Sequence, residues 1–168
     1  MQESPYLEGS GFLAEKLQSL PVLGSGDQKY LKDILRFSKI RKFEDREIIT
    51  KEKTFDYWIY ILFTGAVKVT KNGEEIARMS EVGSTFGELA AIDGKMRSAS
   101  VEADGETVCM AIDTTFLNET ADPLEKAQLT SVLYRFLGEV IAKRLRNAND
   151  EIINLRAEIE LLRRQRWT

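Results

Sequence analysis

A change of hydrophobic period after residue 38 constrains the fold of this chain more than any other feature of its sequence. Residues 39–113 contain short runs rich in β-branched and aromatic residues, separated by polar turns. Asn72-Gly73 stands between two of these runs and is a strong short-range signal of a β-hairpin. Short strands with this punctuation predict an antiparallel β-roll or barrel.

The individual runs predict where the strands lie. KIRKFEDREIITKE predicts two short strands around a polar turn, and WIYILFTGAVKV predicts strand structure that is broken at Gly65. RSASVEA and TVCMAID predict two further strands, separated by Asp104-Gly105. One stretch of the region, GSTFGELAAIDGKMRSAS at 83–100, is too mixed in character for a strand.

Helical patterns flank the strand region and give an α+β chain of three zones: 1–38, 39–121 and 122–168. In the first zone we expect a loose tail over 1–10 and then two amphipathic helices. Their apolar faces are Phe12, Leu13, Leu17 and Leu20 before Pro21, and Tyr30, Leu31, Ile34 and Leu35 after an Asp27 N-cap. In the last zone Asp122 is the predicted N-cap, Pro123 the first helical residue and Gly138 a predicted bend between two helices.

The composition excludes several classes of site. The sequence has no histidine, which removes Ser–His and Cys–His nucleophiles, His-ligated metals and the metal centres of cupin-like barrel enzymes. A Mg²⁺ or Ca²⁺ site made of carboxylates alone stays open, although no EF-hand or similar spacing is visible. We expect neither a catalytic site nor a metal or cofactor. The single cysteine, Cys109, lies in an apolar run and predicts a buried, unreactive thiol in a reducing compartment such as the cytoplasm.

Charge and hydropathy limit the partners. A net charge of −3 argues against a broad nucleic-acid-binding face. No apolar run approaches the roughly 18 residues of a membrane span, and no signal peptide is evident, so we expect no membrane partner.

The end of the last helix predicts a parallel, two-stranded coiled coil and hence a homodimer. Isoleucine and leucine dominate the a positions, Leu145, Ile152 and Ile159, and the d positions, Ile141, Ala148, Leu155 and Leu162. The flanking g and e positions carry the opposite charges Glu151 with Arg156 and Glu158 with Arg163. Ile153 and Leu161 lie outside the pattern, and the alternative is one amphipathic helix packed on its own domain.

The 83–100 stretch has the residues of an anion site. A short helix is expected to start near Gly87-Glu88, where its first backbone N–H groups attract an anion. Arg97 follows a polar loop, and its planar guanidinium suits a phosphate. Glu88 accepts hydrogen bonds only, so a sugar hydroxyl would suit it. The alternative is a surface ion pair between Glu88 and Arg97, worth under about 1 kcal/mol.

The same stretch resembles the phosphate-binding cassette of the cyclic nucleotide-binding domain family, which includes the catabolite activator proteins and the regulatory subunits of protein kinase A. The matching strings are FGELAA at 86–91 and RSASV at 97–101. The resemblance covers roughly 12–150 and implies N-terminal helices, an eight-stranded roll with the cassette between strands six and seven, and C-terminal helices.

The resemblance also implies ligand-binding residues. Glu88 would accept a hydrogen bond from the ribose 2′-hydroxyl, Arg97 would pair with the phosphate, and the Ser98 hydroxyl would donate to it. The full implied cassette set is Phe86, Gly87, Glu88, Leu89, Ala90, Arg97, Ser98 and Ala99, in which Leu89, Ala90 and Ala99 contribute backbone N–H groups. The chain departs from the family at Ala91, at Met96 and in the glycine-free segment KEKTFDYW.

The last helix resembles the dimer helix of the catabolite activators. Two of their purine-contacting positions fall on Ala148 and Asn149, and Asn149 has an amide that suits a purine edge, from its own chain or from the partner. The chain stops at LLRRQRWT, and a helix-turn-helix domain is not expected. The resemblance implies a dimeric sensor of cAMP, rather than cGMP, that acts on an unidentified protein partner. The alternative is an interaction protein of the same fold that binds no nucleotide.

Overall fold

The structure is a computed structural model that describes residues 1–5 and 34–165 of the chain. Most of the predicted N-terminal helical stripe, from Phe12 to Leu31, therefore lies outside the described residues. The last residues of that stripe, Ile34 and Leu35, are helical and buried in the core.

The predicted antiparallel roll is confirmed as a sheet of seven strands in the described residues. The path of the sheet runs β1–β2–β7–β4–β5, with β3 also paired to β7 and β6 to β4. The strands are β1 (Gln2–Glu3), β2 (Ser38–Phe43), β3 (Ile48–Thr50), β4 (Trp58–Lys71), β5 (Glu74–Met79), β6 (Thr85–Phe86) and β7 (Ser100–Asp113).

Two predicted strand breaks are wrong, because β4 and β7 each continue as a single strand of 14 residues. At Gly65 the chain adopts φ +85° and the register with β7 shifts, which makes a bulge rather than a break. A Cβ at Gly65 would lie 2.4 Å from the carbonyl oxygen of Glu106, so the glycine permits the close approach of the two strands.

The hairpin predicted at Asn72-Gly73 is confirmed. Both residues have positive φ, 51° and 86°, as a two-residue type I′ turn requires. Lys71 pairs with Glu74 across the turn, which joins β4 to β5.

The expectation of a loose N-terminal tail is wrong for Gln2–Glu3, which add a strand to β2. The Glu3 carboxylate accepts hydrogen bonds from Lys39 and Arg41, each at 2.6 Å. The Arg41 guanidinium also lies 3.8 Å from the centre of the Trp58 ring. Arg41 therefore makes both an ionic contact with Glu3 and a cation–π contact with Trp58.

Besides the helical residues 34–36, the described chain has three helices: α1 (Glu88–Asp93), α2 (Phe116–Glu119) and α3 (Pro123–Gln165). The predicted N-cap of α3 is confirmed, since the Leu124 amide donates to Asp122 Oδ1 at 2.8 Å. The predicted bend at Gly138 is wrong: α3 is a single helix of 43 residues. Buried side chains on both sides of this glycine, Leu137 and Val140, hold the helix on the sheet.

The first part of α3 covers one face of the sheet, and its second part does not. Leu133, Phe136, Leu137 and Val140 are buried in one core cluster with strand residues Ile59, Ile61, Met110 and Ile112. Beyond Val140, α3 extends away from the core and leaves large apolar side chains exposed. No helix in the described ranges has the length and the apolar character that a membrane span requires.

Candidate functional site

The cassette predicted at 83–100 forms a loop and a short helix between β6 and β7. Helix α1 begins at Glu88, as predicted, after Gly87 in the left-handed conformation (φ +84°). No side chain caps the start of α1. A Cβ at Gly87 would lie 2.6 Å from Arg97 Nη1 and 2.8 Å from the carbonyl oxygen of Trp58. The absent side chain therefore leaves the space in which the Arg97 guanidinium lies.

Arg97 is a buried arginine, only 4% exposed, with nearly all its donors in use. Its Nε donates to Asp56 Oδ2 at 2.7 Å, and its Nη2 donates to Asp56 Oδ1 and to the carbonyl oxygen of Trp58. Its Nη1 donates to the Gly87 carbonyl oxygen at 2.6 Å. These bonds use four of the five guanidinium N–H groups, which leaves one on Nη1.

Asp56 is a site residue that the sequence analysis missed. It lies in the glycine-free loop between β3 and β4, far from Arg97 in sequence. The loop is fixed to the cassette by backbone hydrogen bonds: Lys53 N–H donates to the Arg97 carbonyl at 2.9 Å, and Arg97 N–H donates to the Thr54 carbonyl at 2.8 Å. Lys53 itself takes a positive φ of 63°, so this turn forms without glycine.

Glu88 is the second buried charge of the site and is 2% exposed. Arg144 of α3 donates to Glu88 Oε1 through Nη1 and to the Thr85 carbonyl oxygen through Nη2. Among the residues that the structure describes, Arg144 is the only hydrogen-bond donor to this carboxylate. Glu88 can therefore accept a further hydrogen bond from a hydroxyl or amide group.

The alternative of a surface ion pair between Glu88 and Arg97 is wrong. Both side chains are buried, and each has a separate partner: Arg144 for Glu88 and Asp56 for Arg97. The cassette thus carries a carboxylate linked to the C-terminal helix and a guanidinium linked to the β3–β4 loop. Nothing in the sequence near either residue identifies Asp56 or Arg144, because both contacts are long-range.

The other predicted cassette residues lie at different depths. Ser98 is exposed, Leu89 is 48% exposed, and Ala90 and Ala99 are half-buried. Phe86 is buried in the core and stacks on Tyr60, with ring centres 5.1 Å apart. Its side chain is part of the core at the start of the cassette. That Phe86 takes part in ligand binding stays a prediction.

Asn149 is not brought to the cassette of its own chain. It lies five residues beyond Arg144, about 140° around the helix, and its side chain is exposed. The predicted dimer positions are also exposed, except for Ile141, which is half-buried. Large apolar members of that set are between 46% and 59% exposed: Leu145, Ile152, Leu155, Ile159 and Leu162.

A cleft of about 180 Å³ adjoins Arg144 between the β5–β6 loop and α3. Apolar and polar side chains from both elements line it, including Met79, Val82, Thr85, Val140 and Asn147. The cleft therefore opens at the position where α3 contacts the cassette.

Burial shifts two titratable groups near the core. It raises the pKa of Tyr60 to about 12, although the nearby Arg41 guanidinium opposes this shift. It also raises the pKa of the Cys109 thiol to about 12. Cys109 is fully buried, as predicted, and its thiol stays protonated at neutral pH. Residues 1–5 and 34–165 contain no group of three acidic, cysteine or histidine side chains that could hold a metal ion.

Comparison with known proteins agrees with this architecture. The family model described as the Cyclic nucleotide-binding domain matches residues 40–122. A cGMP-dependent protein kinase of Toxoplasma gondii is 32% identical over 98 residues, which are 58% of this chain and 10% of the kinase. This chain thus spans only a small part of that relative, which is a much longer protein.

Two solved structures share the fold. A cyclic nucleotide-binding domain from Methylobacillus flagellatus superposes with a TM-score of 0.66 at 20% identity, covering 89% of this chain and 88% of that one. The catabolite activator protein of Thermus thermophilus gives a TM-score of 0.60 at 23% identity, covering 80% of this chain and 62% of that one. Residues 40–122, just under half of the chain, therefore match the cyclic nucleotide-binding domain family, and the two solved structures share the fold.

Proposed function

We propose that this chain is a regulatory module that binds a cyclic nucleotide, with cAMP preferred to cGMP, and is not itself an enzyme. The observation that carries the proposal is the pair of buried, separately anchored charges in the cassette, Glu88 and Arg97. Burying charged groups is unfavourable unless partners compensate for the lost hydration, so such an arrangement suits a site that must present fixed charges to a ligand.

In this proposal the cyclic phosphate lies against Arg97. The remaining Nη1 N–H donates to a phosphate oxygen, and Asp56 keeps the guanidinium plane fixed. The Ser98 hydroxyl and the backbone N–H groups of Leu89, Ala90 and Ala99 supply further donors. The uncapped start of α1 supports these roles, because its first N–H groups have no side-chain acceptor.

The ribose lies against Glu88 and connects the ligand to α3. Its 2′-hydroxyl donates to the carboxylate that Arg144 already contacts, so nucleotide binding adds a second donor to Glu88 and changes the hydrogen bonding of the Glu88–Arg144 pair. We propose that this shifts a pre-existing equilibrium of α3. Hydrogen–deuterium exchange across 140–165 should change at saturating nucleotide; unchanged protection would refute the relay.

The exposed apolar stripe of α3 supports a parallel homodimer. In the heptad frame Arg144 is a g position and Asn149 an e position, and g of one helix lies beside the following e of the other. A parallel pair therefore places the partner's Asn149 next to Arg144, close to Glu88 and the nucleotide. This arrangement gives Asn149 a route to a purine edge that its own chain does not offer.

Calorimetric titration with cAMP and then with cGMP tests the binding proposal. We expect saturable binding by the wild-type protein and none by Arg97→Ala. Arg78→Ala, which removes an exposed arginine paired with Asp104 on the sheet surface, is the matched control and should bind normally. Folding of each variant is checked by its thermal transition. No heat from either nucleotide with the folded wild type would overturn the proposal.

The second candidate is a dimeric interaction module that keeps the fold and binds no nucleotide. It is favoured by the internal partners of both cassette charges, Asp56 and Arg144, which satisfy them without a ligand. In that case neither nucleotide binds, while the dimer persists. The downstream protein partner is unidentified in both versions, and a cytoplasmic location stays a prediction.

A further inference from the structure

The apolar stripe of α3 continues towards the sheet beyond the predicted coiled coil. One heptad before Ile141 lies Tyr134, which is 49% exposed, and one heptad before Leu145 lies Gly138, also exposed. The next a position back is Ser131, which is exposed as well. The heptad a and d positions, which form the seam of the predicted coiled coil, therefore continue through the part of α3 that is packed on the sheet.

This face of α3 is distinct from the face that its own domain buries. At about 100° per residue, the buried residues Leu133, Phe136 and Val140 lie on one side of the helix. Tyr134 and Gly138 lie together on a different side, offset by roughly 145° from that buried face. A second helix can thus contact them without displacing the sheet.

No contact within the described part of its own chain explains why residue 138 is a glycine. A Cβ at this position would meet nothing within 4 Å, and the helix runs through it without interruption. Glycine in a helix interior is less stable than alanine, so an open position in the middle of a long helix favours alanine. What a glycine provides on an exposed seam is room for a close neighbour.

We propose that this neighbour is a second copy of the chain, and that Tyr134 of each copy packs over the partner's Gly138. In parallel knobs-into-holes packing, a d-position side chain enters a hole that contains the partner's next a position. For Tyr134 that position is Gly138, and the small Ser131 forms another part of the same hole. The proposal rests on the homodimer of the proposed function.

Charge complementarity favours a second copy as the occupant. Glu151 and Glu158 at g positions face Arg156 and Arg163 at e positions of a parallel partner. None of these four side chains makes an ion pair with another residue of the described part. An identical, parallel helix in register gives each of these four side chains an oppositely charged partner. The same register places Tyr134 of one helix at Gly138 of the other.

Sedimentation equilibrium of the full chain tests the interface. We expect Tyr134→Ala and Gly138→Leu each to raise the dimer dissociation constant at least about tenfold, since an aromatic anchor at an interface is commonly worth that much. Tyr134→Phe keeps the ring and should dimerise like the wild type. Asp150→Ala changes the f position opposite the seam and should also leave dimerisation unchanged.

Gly138→Ala should stabilise the monomer and weaken the dimer, and these two effects can be measured separately. The monomer should melt a few degrees higher, because alanine stabilises an open helix position. The dimer should dissociate more easily, because the added methyl group occupies the hole for Tyr134. If Gly138 does not contact the partner, alanine should raise the melting temperature of the monomer and leave the dissociation constant of the dimer unchanged.

The outcomes separate this inference from the proposals on which it rests. A wild-type protein that is monomeric at about 100 µM overturns both the dimer and this interface. A wild-type dimer that Tyr134→Ala and Gly138→Leu leave intact overturns this interface alone. Nucleotide affinity, measured on the same samples, decides the ligand proposal independently of either result.

Discussion

Substituting Gly87 with alanine isolates what the cassette geometry contributes to binding, because Gly94 provides a matched control. Both glycines have left-handed backbones, with φ +84° at Gly87 and +65° at Gly94. Alanine in this conformation is destabilising by about 1–2 kcal/mol at either position. Only at Gly87 does the new Cβ meet anything: Arg97 Nη1 at 2.6 Å and the Trp58 carbonyl oxygen at 2.8 Å.

The carbonyl of Trp58 belongs to a buried strand region and cannot retreat, so Arg97 must move. That movement removes its bond to the Gly87 carbonyl and at least one proposed contact to the phosphate. Hydrogen bonds of charged groups are worth about 1.5–3 kcal/mol, which corresponds to a roughly 10- to 150-fold loss of nucleotide affinity. Gly94→Ala should lose about the same stability from backbone strain and bind nucleotide nearly as the wild type does.

The assay is a pair of measurements on each variant: denaturant unfolding for stability and calorimetry for cyclic nucleotide affinity. We predict similar backbone strain in both variants and a loss of nucleotide binding confined to Gly87→Ala. Equal nucleotide affinity of Gly87→Ala and Gly94→Ala, with both folded, would refute the claim that binding depends on the position of Arg97.

The remaining predictions concern three other side chains, Asp56, Tyr60 and Cys109. Asp56→Asn should lower cyclic nucleotide affinity about tenfold in calorimetry, because it weakens the ionic contact that orients Arg97. Tyr60, with a pKa of about 12 when folded and about 10 when unfolded, should contribute stability below pH 10 that is lost as the pH rises towards 12. Unfolding of wild type and Tyr60→Phe at pH 9 and 11 measures that loss, and an equal decline in both would contradict it. Cys109 should resist iodoacetamide at pH 8 until the protein unfolds, as mass spectrometry can follow.

Local sequence signals predicted local structure well. The Asn72-Gly73 turn, the Asp122 cap of α3 and the short helix at Glu88 all depend on residues within a few positions of one another. Their conformations follow from backbone preferences and short-range hydrogen bonds, which a single sequence contains.

Breaks in the chain were predicted less well. Gly65, Asp104-Gly105 and Gly138 were each interpreted as interruptions, yet the elements continue through all three. Glycine signals either a break or a close approach of two backbones, and the sequence does not distinguish them. At Gly65 the neighbouring strand decides the outcome, since its carbonyl would lie 2.4 Å from a Cβ.

The partners of the site charges could not be predicted from the sequence. Asp56 and Arg144 reach Arg97 and Glu88 from sequence separations of 41 and 56 residues. Such contacts depend on how β4, the cassette and α3 pack together, and no local pattern encodes that packing. The β1 strand was missed for the same reason, because Gln2–Glu3 depend on β2 for their conformation.

The central claim is that Glu88 binds the ribose hydroxyl of a cyclic nucleotide whose phosphate lies at Arg97. Calorimetry of cAMP and 2′-deoxy-cAMP, each with wild type and Glu88→Gln, tests it most directly, since glutamine keeps the shape and removes the charge. For the wild type we predict that cAMP binds about 10- to 100-fold more tightly than its deoxy analogue. That ratio should fall several-fold in Glu88→Gln. Equal affinities of the two nucleotides for the wild type, or the same ratio in both proteins, would contradict the claim.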